Sequence, residues 1–439
     1  MTKGSTLFQE AQNYFVGGVD AANRYHGLLG STLYLDHAKG SRMYDVDGKE
    51  YLDFHTSAGA ALFGYGHPRL MAAAQQAISR GAFMNYNTEA HIELAKLMQA
   101  FIPCAERIRL GNTGTEVTQA AIRLARGYTG RELCVRMEGH FHGMHELIWY
   151  NHNEQGEMDA AGEVQTIPDT AGVPKCFRDV VKNVEFNDME ALERICARYS
   201  GQVACIIMEP ISFNCGCYPA RKKYLEQVRA LCDREGIVLI FDEVITGLRL
   251  RPGTAQAYYG VTPDLATFAK AIGGTFPIAA LCGKKAVMDC LAPTGKVGMS
   301  GTYTGALMPV LASVECFKMA TEPGFYDDID AKAGALYGGI DRLFNKHGIK
   351  GHCRGQGARF AMFFGIEDPE TDLNWRSVKA GYDLARHRAF VKKALDSGLY
   401  FVDPGRGPVP CHCGFSTQHT MDDIGEALDK IDVIFREIR

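Results

Sequence analysis

The chain has 439 residues, of which 46% are hydrophobic and 22% are charged, and its formal net charge is −4. This length allows a large core and two or three domains, and the composition is that of an ordinary globular protein. The small charge and the lack of a Lys/Arg block argue against nucleic acid as the main partner. No apolar run approaches the roughly 18 residues that span a membrane, and no signal-peptide core is found, so we expect a cytoplasmic protein.

Cysteine and histidine patterns invite a metal site, but their spacing argues against one. The fourteen cysteines are scattered through apolar segments, where free cysteine packs as a small hydrophobic side chain. Cys215-Gly216-Cys217 and Cys411-His412-Cys413 have one residue between the cysteines, whereas zinc sites use two to four. Histidines at 140, 142 and 145 lie in a predicted loop with no obvious carboxylate ligand. We therefore predict no metal.

The first predicted elements are a short helix over about 5–15 and a β-hairpin. The hairpin strands, 43–46 and 51–54, flank an Asp-Gly turn. Pro68 then begins a helix rich in alanine and glutamine.

From about 85 to 290, predicted helices alternate with short apolar strands. That alternation indicates a mainly parallel sheet with helices on both faces. The strands are expected at 107–110, 133–136, 203–208, 237–241 and 278–282.

The rest of the sequence predicts a long helical region and then an α+β layer. The helical region covers about 303–346, and the later elements are strands near 358–366, 399–402 and 411–416, followed by an amphipathic helix from Met421.

Neither an internal repeat nor a linker interrupts the chain, so we expect tightly packed domains. Residues 1–60 are predicted to be an N-terminal segment that joins the small domain and the active-site wall. Residues 61–312 are predicted to form a large cofactor-binding domain, and 313–439 a small α+β domain.

Lys270 and Asp242 are the most informative residues for function. Asp242 ends the apolar run 237–241, and Lys270 lies 28 positions later, between apolar neighbours. Burial lowers the pKa of a lysine, which suits an amine that must form a Schiff base. Each residue alone also fits an ordinary helix-end or turn position. Together they fit pyridoxal 5′-phosphate, which needs an amine for its aldehyde and an acid for its ring nitrogen.

A phosphate seat is predicted between the strand at 107–110 and the next helix. Thr113, Gly114 and Thr115 are small or hydroxyl residues that leave backbone N–H groups free at the positive end of the helix dipole. We expect Thr115 to be both the helix N-cap and a phosphate ligand. Capping without a ligand is the alternative.

Further candidate ligands follow other predicted strands. Phe141 stands before a glycine at a strand end, where an aromatic ring can lie over a flat ligand, and His142 is its neighbour. Glu209 follows a buried strand, and the Asn214 amide could donate to a phenolate oxygen. Thr302 opens another helix and offers a second hydroxyl for phosphate.

In this order, the motifs resemble the class III pyridoxal-phosphate-dependent aminotransferases. The resemblance runs from about Gly17 to the C-terminus and rests on Phe-Asp-Glu-Val at 241–244, Lys270 and Gly-Thr at 301–302. In particular, it resembles the glutamate-1-semialdehyde aminomutase group, with β-phenylalanine and D-phenylglycine aminotransferases as relatives. The resemblance implies an α/β fold of type I, with a mainly parallel seven-stranded sheet between helices and a smaller α+β domain.

The resemblance also implies roles at the cofactor ring. Lys270 would form the Schiff base and then act as the base that moves the substrate proton, and Asp242 would keep the ring nitrogen protonated. Val244 would pack on one face of the ring and Phe141 on the other. His142 and Glu209 are expected beside them.

The same resemblance assigns the phosphate end and the assembly. Asn214 would bond the phenolic oxygen, and Thr113, Gly114 and Thr115 would hold the phosphate. Thr302 would reach the phosphate of the neighbouring subunit, which implies a homodimer with shared active sites.

Several positions depart from the aminomutase pattern. Arg24 stands where relatives bind the substrate carboxylate, with a surface arginine as the alternative. An aminomutase serine is Ala21 here, and an active-site tryptophan aligns with Ala58, which predicts a wider pocket. His412 replaces a glutamate, which weakens the case for a substrate with an amine at both ends. Arg406 resembles an arginine of the D-phenylglycine enzyme and is a second carboxylate candidate.

These residues favour an aminotransferase that moves nitrogen between an amino acid, possibly a β- or D-amino acid, and a keto acid. An aminomutase or racemase is the alternative, since the carbanion chemistry is shared. A decarboxylase or lyase, and a non-catalytic cofactor-binding protein, are further alternatives. The intact Lys270 and Asp242 argue against the last of these.

Overall fold

The computed structural model describes residues 2–367 and 374–439, with every side chain in these ranges except that of Arg406. Its helices, in chain order, are α1 (Lys3–Ala11), α2 (Pro68–Ser79), α3 (Glu89–Phe101), α4 (Gly114–Thr129), α5 (Cys176–Asp179), α6 (Met189–Arg198), α7 (Lys222–Glu235), α8 (Ala255–Tyr259), α9 (Lys285–Met288), α10 (Leu307–Ala320), α11 (Phe325–His347), α12 (Trp375–Gly381), α13 (Leu384–Asp396) and α14 (Met421–Ile438).

The strands are β1 (Leu35–Lys39), β2 (Arg42–Asp45), β3 (Glu50–Asp53), β4 (Arg107–Gly111), β5 (Leu133–Met137), β6 (Val181–Val184), β7 (Val203–Met208), β8 (Ile211–Ser212), β9 (Tyr218–Pro219), β10 (Val238–Asp242), β11 (Leu265–Phe268), β12 (Ala279–Gly283), β13 (Gly351–Gln356), β14 (Arg359–Phe364), β15 (Leu399–Tyr400) and β16 (Cys413–Gly414). Short 3-10 helices cover Val16–Gly18, Ala22–Arg24, Ser57–Gly59, Lys270–Gly273 and Pro404–Arg406.

The central sheet has seven strands in the order β4-β12-β11-β10-β7-β5-β6. Strand β12 runs antiparallel to both of its neighbours, and the remaining neighbours pair in parallel. This confirms the predicted α/β fold with a mainly parallel sheet. The sequence did not single out β6 and β11, because each is only four residues long and carries polar side chains.

Alternate side chains of the buried strands supply the core on the two faces of the sheet. Ile207 and Ile240 belong to the hydrophobic cluster that includes the buried face of α4, while Ile206 and Leu239 belong to the cluster on the opposite face. Strands β5, β7 and β10 are buried throughout, as expected of parallel strands between two helical layers.

The N-terminal segment and the C-terminal part share a sheet. The predicted hairpin forms from β2 and β3, and β3 also pairs in parallel with β15, so that Leu52 lies opposite Leu399. Helix α1 ends at Ala11, four residues before the expected end, and the backbone is already extended at Phe15. The domain boundaries at 60/61 and 312/313 stay a prediction.

The predicted helical region 303–346 is two helices. They are separated at Pro323 and Gly324, and the φ of +83° at the glycine breaks the helical path. After them, β13, β14 and β16 form a three-stranded sheet, and α14 begins at Met421 as expected.

All fourteen cysteines are free, and all except Cys176, Cys290 and Cys411 are at least nine-tenths buried. Among the residues that the structure describes, no helix combines the length and the apolar character that a membrane crossing requires.

A buried carboxylate, Glu243, fixes the chain where it leaves β10. Its oxygens accept hydrogen bonds from the Thr246 hydroxyl at 2.9 Å, the Ala255 backbone N–H at 2.5 Å and the Gln256 side-chain amide at 2.9 Å. Since Asp242 and Val244 flank Glu243, this network holds the part of the chain that carries two predicted site residues.

We expect Glu243→Ala to lower the free energy of unfolding by about 2 to 4 kcal/mol, because several buried donors lose their acceptor. Urea unfolding of the cofactor-free protein measures this. The control Glu190→Ala removes an exposed glutamate on α6 and should cost less than about 0.5 kcal/mol. Equal midpoints for both variants would contradict the assignment.

Candidate active site

A cavity of about 170 Å³ lies where β5, β7, β10 and β11 end. These four strands are neighbours in the sheet and run in the same direction, so their carboxyl ends meet at one edge. The cavity wall includes nine of the predicted residues: Gly114, Thr115, Phe141, His142, Glu209, Asn214, Asp242, Val244 and Lys270. It also includes four that the sequence did not single out: Thr118, Gly143, Ile245 and Ala269.

Asp242 is buried at the end of β10. Burial raises the pKa of this carboxyl to about 6, against hydrogen bonds from the Val244 backbone N–H at 3.0 Å and the Thr267 hydroxyl at 3.3 Å, which lower it. A positive charge placed beside Asp242 would lower the pKa further, because it stabilises the ionised form.

His142 forms a hydrogen bond with Asp242, with 2.8 Å between Nδ1 and Oδ2. Burial lowers the pKa of His142 well below its ordinary value, so the ring is neutral. An ionised carboxylate can only accept, so the proton of His142 lies on Nδ1. The imidazole therefore stabilises the charged form of Asp242.

The neighbouring histidines hold the loop in place. His140 Nδ1 accepts a hydrogen bond from the Glu209 backbone N–H at 3.0 Å, and His145 Nε2 lies 3.4 Å from the Thr118 hydroxyl. Burial lowers the pKa of both rings, so that both are neutral.

Lys270 follows β11 at the start of a 3-10 helix, with a left-handed φ of +51°. Burial lowers the pKa of its amine to about 8, and the nearby Arg249 and Arg359 guanidinium groups lower it as well. Asp242 and Glu209 act in the opposite direction. The predicted burial effect on this lysine is thus present.

The first turn of α4 contributes Gly114 and Thr115 to the cavity wall. The expectation that Thr115 is the N-cap is wrong, because the Thr113 hydroxyl accepts the hydrogen bond from the Glu116 backbone N–H and α4 begins at Gly114. A threonine at either position satisfies the same sequence pattern. Thr113 is absent from the cavity wall, and Thr115 lies on it.

Two glycines keep the cavity open. A Cβ on Gly114 would lie 3.2 Å from the Val244 side chain, and a Cβ on Gly143 would lie 2.7 Å from the Thr115 hydroxyl. Gly143 also has a φ of +105°, which only glycine adopts readily.

Glu209 and Phe141 form the wall between β5 and β7. Glu209 Oε1 accepts a hydrogen bond from the Phe141 backbone N–H at 2.9 Å. Burial raises the pKa of Glu209 to about 7, as does the charge of Asp242, whereas a hydrogen bond from Asn214 lowers it.

The predicted residues Arg24, Ala58 and Thr302 are absent from the wall of this cavity. Arg24 is exposed, pairs with Asp20 at 2.9 Å and lines a separate cavity of about 390 Å³ together with Ala58. Thr302 is exposed before α10. The backbone of Arg406 ends a 3-10 helix, and its side chain lies outside the described part of the structure.

Arg249 and Arg359 are buried guanidinium groups that the sequence analysis missed. Nη2 of Arg249 donates to the Gly59 carbonyl, and Nη1 of Arg359 donates to the Thr56 hydroxyl at 2.7 Å. Both arginines interrupt apolar stretches, at 245–250 and 358–364, which is the signal that identified Lys270.

The segment between these two contacts has an unusual backbone. Thr56, Ser57, Ala58 and Gly59 all have positive φ, from +50° to +91°. Such angles are rare outside glycine and cost free energy, so the surrounding contacts must impose them. The two arginines hold both ends of this left-handed run.

The cavity fits pyridoxal phosphate by its chemistry. A lysine with a lowered pKa can react with the aldehyde, and a buried carboxylate can face a protonated ring nitrogen. The glycine-lined first turn of α4 leaves backbone N–H groups for the phosphate. These groups lie on the wall of one cavity.

Comparison with known proteins agrees with this chemistry. The sequence profile of the family aminotransferase class-III matches residues 25–435. An ω-transaminase from Sphaerobacter thermophilus superposes with a TM-score of 0.92 at 26% identity, covering 100% of this chain and 98% of its own.

Two more distant structures share the fold. A glutamate-1-semialdehyde-aminomutase from Pseudomonas aeruginosa PAO1 has a TM-score of 0.86 at 22% identity, covering 99% of this chain and 94% of its own. A β-phenylalanine aminotransferase from Variovorax paradoxus has a TM-score of 0.83 at 23% identity, with coverages of 98% and 93%. The chain belongs to the class III aminotransferases and is a transaminase that depends on pyridoxal phosphate.

Proposed function

We propose that this enzyme transfers nitrogen between an amino acid and a keto acid, with Lys270 and Asp242 as its catalytic residues. The observation that carries the proposal is their presence on the wall of one cavity, where burial lowers the pKa of the amine and raises that of the carboxyl. These are the shifts expected of groups that exchange protons near neutral pH.

Pyridoxal phosphate, when bound, supplies an aldehyde for the amines and a ring that withdraws electrons from the carbon next to nitrogen. Asp242 would face the ring nitrogen and hold a proton there. His142 supports this role, because its Nδ1–H donates to Asp242 and favours the ionised carboxylate. Val244 and Phe141 would pack against the two faces of the ring.

Lys270 Nζ would hold the cofactor, and after release it would take the proton from the substrate carbon and return it. An amine with a pKa of about 8 serves both steps, because it is partly neutral at pH 7 and still basic. Asn214 and Glu209 would lie at the phenolic oxygen, since Asn214 and Glu209 share the cavity wall with Lys270.

The phosphate would lie against Gly114 and Thr115 at the start of α4, with Thr113 capping the helix. We infer a homodimer in which Thr302 contributes to the partner's site. Its exposure before α10, and its absence from the cavity of its own chain, support this assignment. A cytoplasmic location stays a prediction.

The amino acid is proposed to be an α-, β- or D-amino acid with a carboxylate. Arg24, Ala58 and Arg406 stay as substrate-binding candidates. An aminomutase is the second candidate, because an aminomutase shares the fold and the carbanion chemistry does not distinguish them.

The test is a single-turnover screen of the cofactor-loaded protein. Aliphatic and aromatic α-amino acids of both hands, β-amino acids and plain amines are added without acceptor, and the visible absorbance and the carbonyl product are measured. One equivalent of carbonyl product from a donor supports transamination. Isomerisation of an amino aldehyde with no net loss of nitrogen supports the aminomutase.

Lys270→Ala should leave the protein folded and lower kcat by at least about 10³-fold, since it removes both the nucleophile and the base. Turnover of the best donor and the far-ultraviolet circular dichroism are compared with those of the wild type. A variant that turns over at the wild-type rate would overturn the proposed role.

The rate at which the cofactor-free protein captures pyridoxal phosphate should depend on pH. Lys270 reacts as the neutral amine, so the rate rises as pH increases and levels off above about pH 8. Stopped-flow absorbance measures it. In Asp242→Asn the midpoint should shift to lower pH, because the carboxylate that raises the pKa of Lys270 is gone. A midpoint near the ordinary lysine value of about 10.4 contradicts the prediction.

If the two subunits share their active sites, two inactive variants should form an active enzyme when they are mixed. Thr302→Arg should block the partner's phosphate seat, and Lys270→Ala is inactive in its own site. Co-expression should restore roughly a quarter of wild-type activity, because half the dimers are mixed and one site in each is intact. If Thr302 acts within its own chain, the mixture stays inactive.

A further inference from the structure

Arg359 and His412 lie side by side on neighbouring strands. Arg359 is directly opposite Gly414 in the pairing of β14 with β16. Its Nε donates to Nδ1 of His412 at 3.0 Å, Nη2 also contacts this nitrogen, and Nη2 donates to the His412 carbonyl at 3.1 Å. A Cβ on Gly414 would lie 2.5 Å from Nη1, so the glycine makes room for the guanidinium.

This contact determines which nitrogen of His412 carries the proton. Every guanidinium nitrogen donates and none accepts, so Nδ1 of His412 must be the unprotonated acceptor. A neutral imidazole then has its proton on Nε2. Burial and the charge of Arg359 both lower the pKa of His412 well below its ordinary value, which keeps the ring neutral. His412 therefore presents an N–H donor.

The imidazole packs near the segment that contributes Asn214 to the cavity wall. Its ring centre is 6.2 Å from that of Phe213, whose neighbour Asn214 is on the cavity wall. The charge of Lys270 also acts on the pKa of His412, as does the charge of Arg249. Within the described residues, no group accepts a hydrogen bond from Nε2.

Positive charge surrounds this donor, and the buried Asp53 carboxylate acts on Arg359 through its charge without forming an ion pair with it in the described ranges. Neither Arg249 nor Arg359 forms an ion pair with an acidic side chain in the described ranges, and both are buried. The N–H groups of these two arginines donate to carbonyl oxygens, to the Thr56 hydroxyl and to the His412 ring. Buried cations that form no direct ion pair are costly, so this region favours an anionic ligand.

We propose that His412 Nε2–H binds the carboxylate of the amino-acid substrate, and that Arg359 is a positioning residue which holds His412 in this tautomer. This inference rests on the proposed aminotransferase function. It adds that the carboxylate end of the substrate binds at His412. An ammonium group would meet a hydrogen-bond donor and two cations here, so a substrate with amines at both ends is disfavoured.

Two substitutions of His412 distinguish the role of its Nε2–H donor from the role of its contact with Arg359. His412→Asn keeps an amide oxygen where Nδ1 accepts from Arg359 but has no group at Nε2. His412→Gln places an amide N–H near the Nε2 position. The probes are propanoate, butanoate and 3-phenylpropanoate, which have no amino group to transfer, and the matched uncharged amides. Equilibrium Kd values for the cofactor-loaded protein come from calorimetry.

We expect His412→Asn to weaken carboxylate binding about tenfold or more, in line with a hydrogen bond to a charged group. His412→Gln should stay within about threefold of the wild type on the same basis. Amide binding should weaken less in His412→Asn, because an amide oxygen accepts only a weaker, uncharged hydrogen bond from the same donor. Unchanged carboxylate affinity in His412→Asn overturns the inference, and so does equal weakening for the amides.

The second readout is the pH dependence of carboxylate binding. The charged or titratable groups that face His412 are Arg359, Lys270, Arg249 and His55. In Arg359→Met the pKa of His412 should rise, because one of the charges that lower it is gone, while burial and the charges of Lys270 and Arg249 still act. The tightening of carboxylate binding as pH falls should therefore occur at a higher pH than in the wild type. Identical profiles would contradict the positioning role of Arg359.

The binding experiments and the single-turnover screen distinguish a failure of the carboxylate site from a failure of the proposed function. If a donor yields its carbonyl product but His412→Asn binds carboxylates normally, transamination stands and the carboxylate site fails. If no donor reacts, the proposed function fails whatever the binding data show.

Discussion

The removal of Lys270 and Asp242 from water is the constraint on which the active site depends. Both lie where neighbouring parallel strands end, and the register of β10 with β11 places Asp242 opposite Thr267, three residues before Lys270. Burial moves the two pKa values towards each other, to about 6 and about 8. The segments after β5 and β7 complete the wall with the neutral His142 and with Glu209 rather than with further fixed charge.

Residues close in sequence to a strand end were predictable, and contacts between distant segments were not. Strand ends with apolar runs identified Asp242, Glu209 and Phe141, because parallel strands bring such ends together. The sequence pattern does not distinguish Thr113 from Thr115 as the N-cap, since threonines on either side of Gly114 offer the same local signal. Arg359 was missed because its role depends on pairing with β16, a strand some fifty residues later in the chain.

The proposed substrate side of the site is built from both ends of the chain. Strand β3 pairs with β15, and the segment after β3 receives hydrogen bonds from Arg359 and Arg249. The left-handed run from Thr56 to Gly59 is thus imposed by distant residues and not by local propensity. This explains why Ala58 could be located from the sequence only by resemblance.

The two buried arginines also connect selectivity with chemistry. Their positive charges lower the pKa of Lys270, while one of them orients the imidazole of His412. A change of Arg359 that admits another class of substrate would therefore also make Lys270 more basic. In this enzyme, a new substrate range obtained by changing Arg359 would also shift the pH at which the enzyme works. A compensating change of charge elsewhere around Lys270 would then be part of the same adaptation.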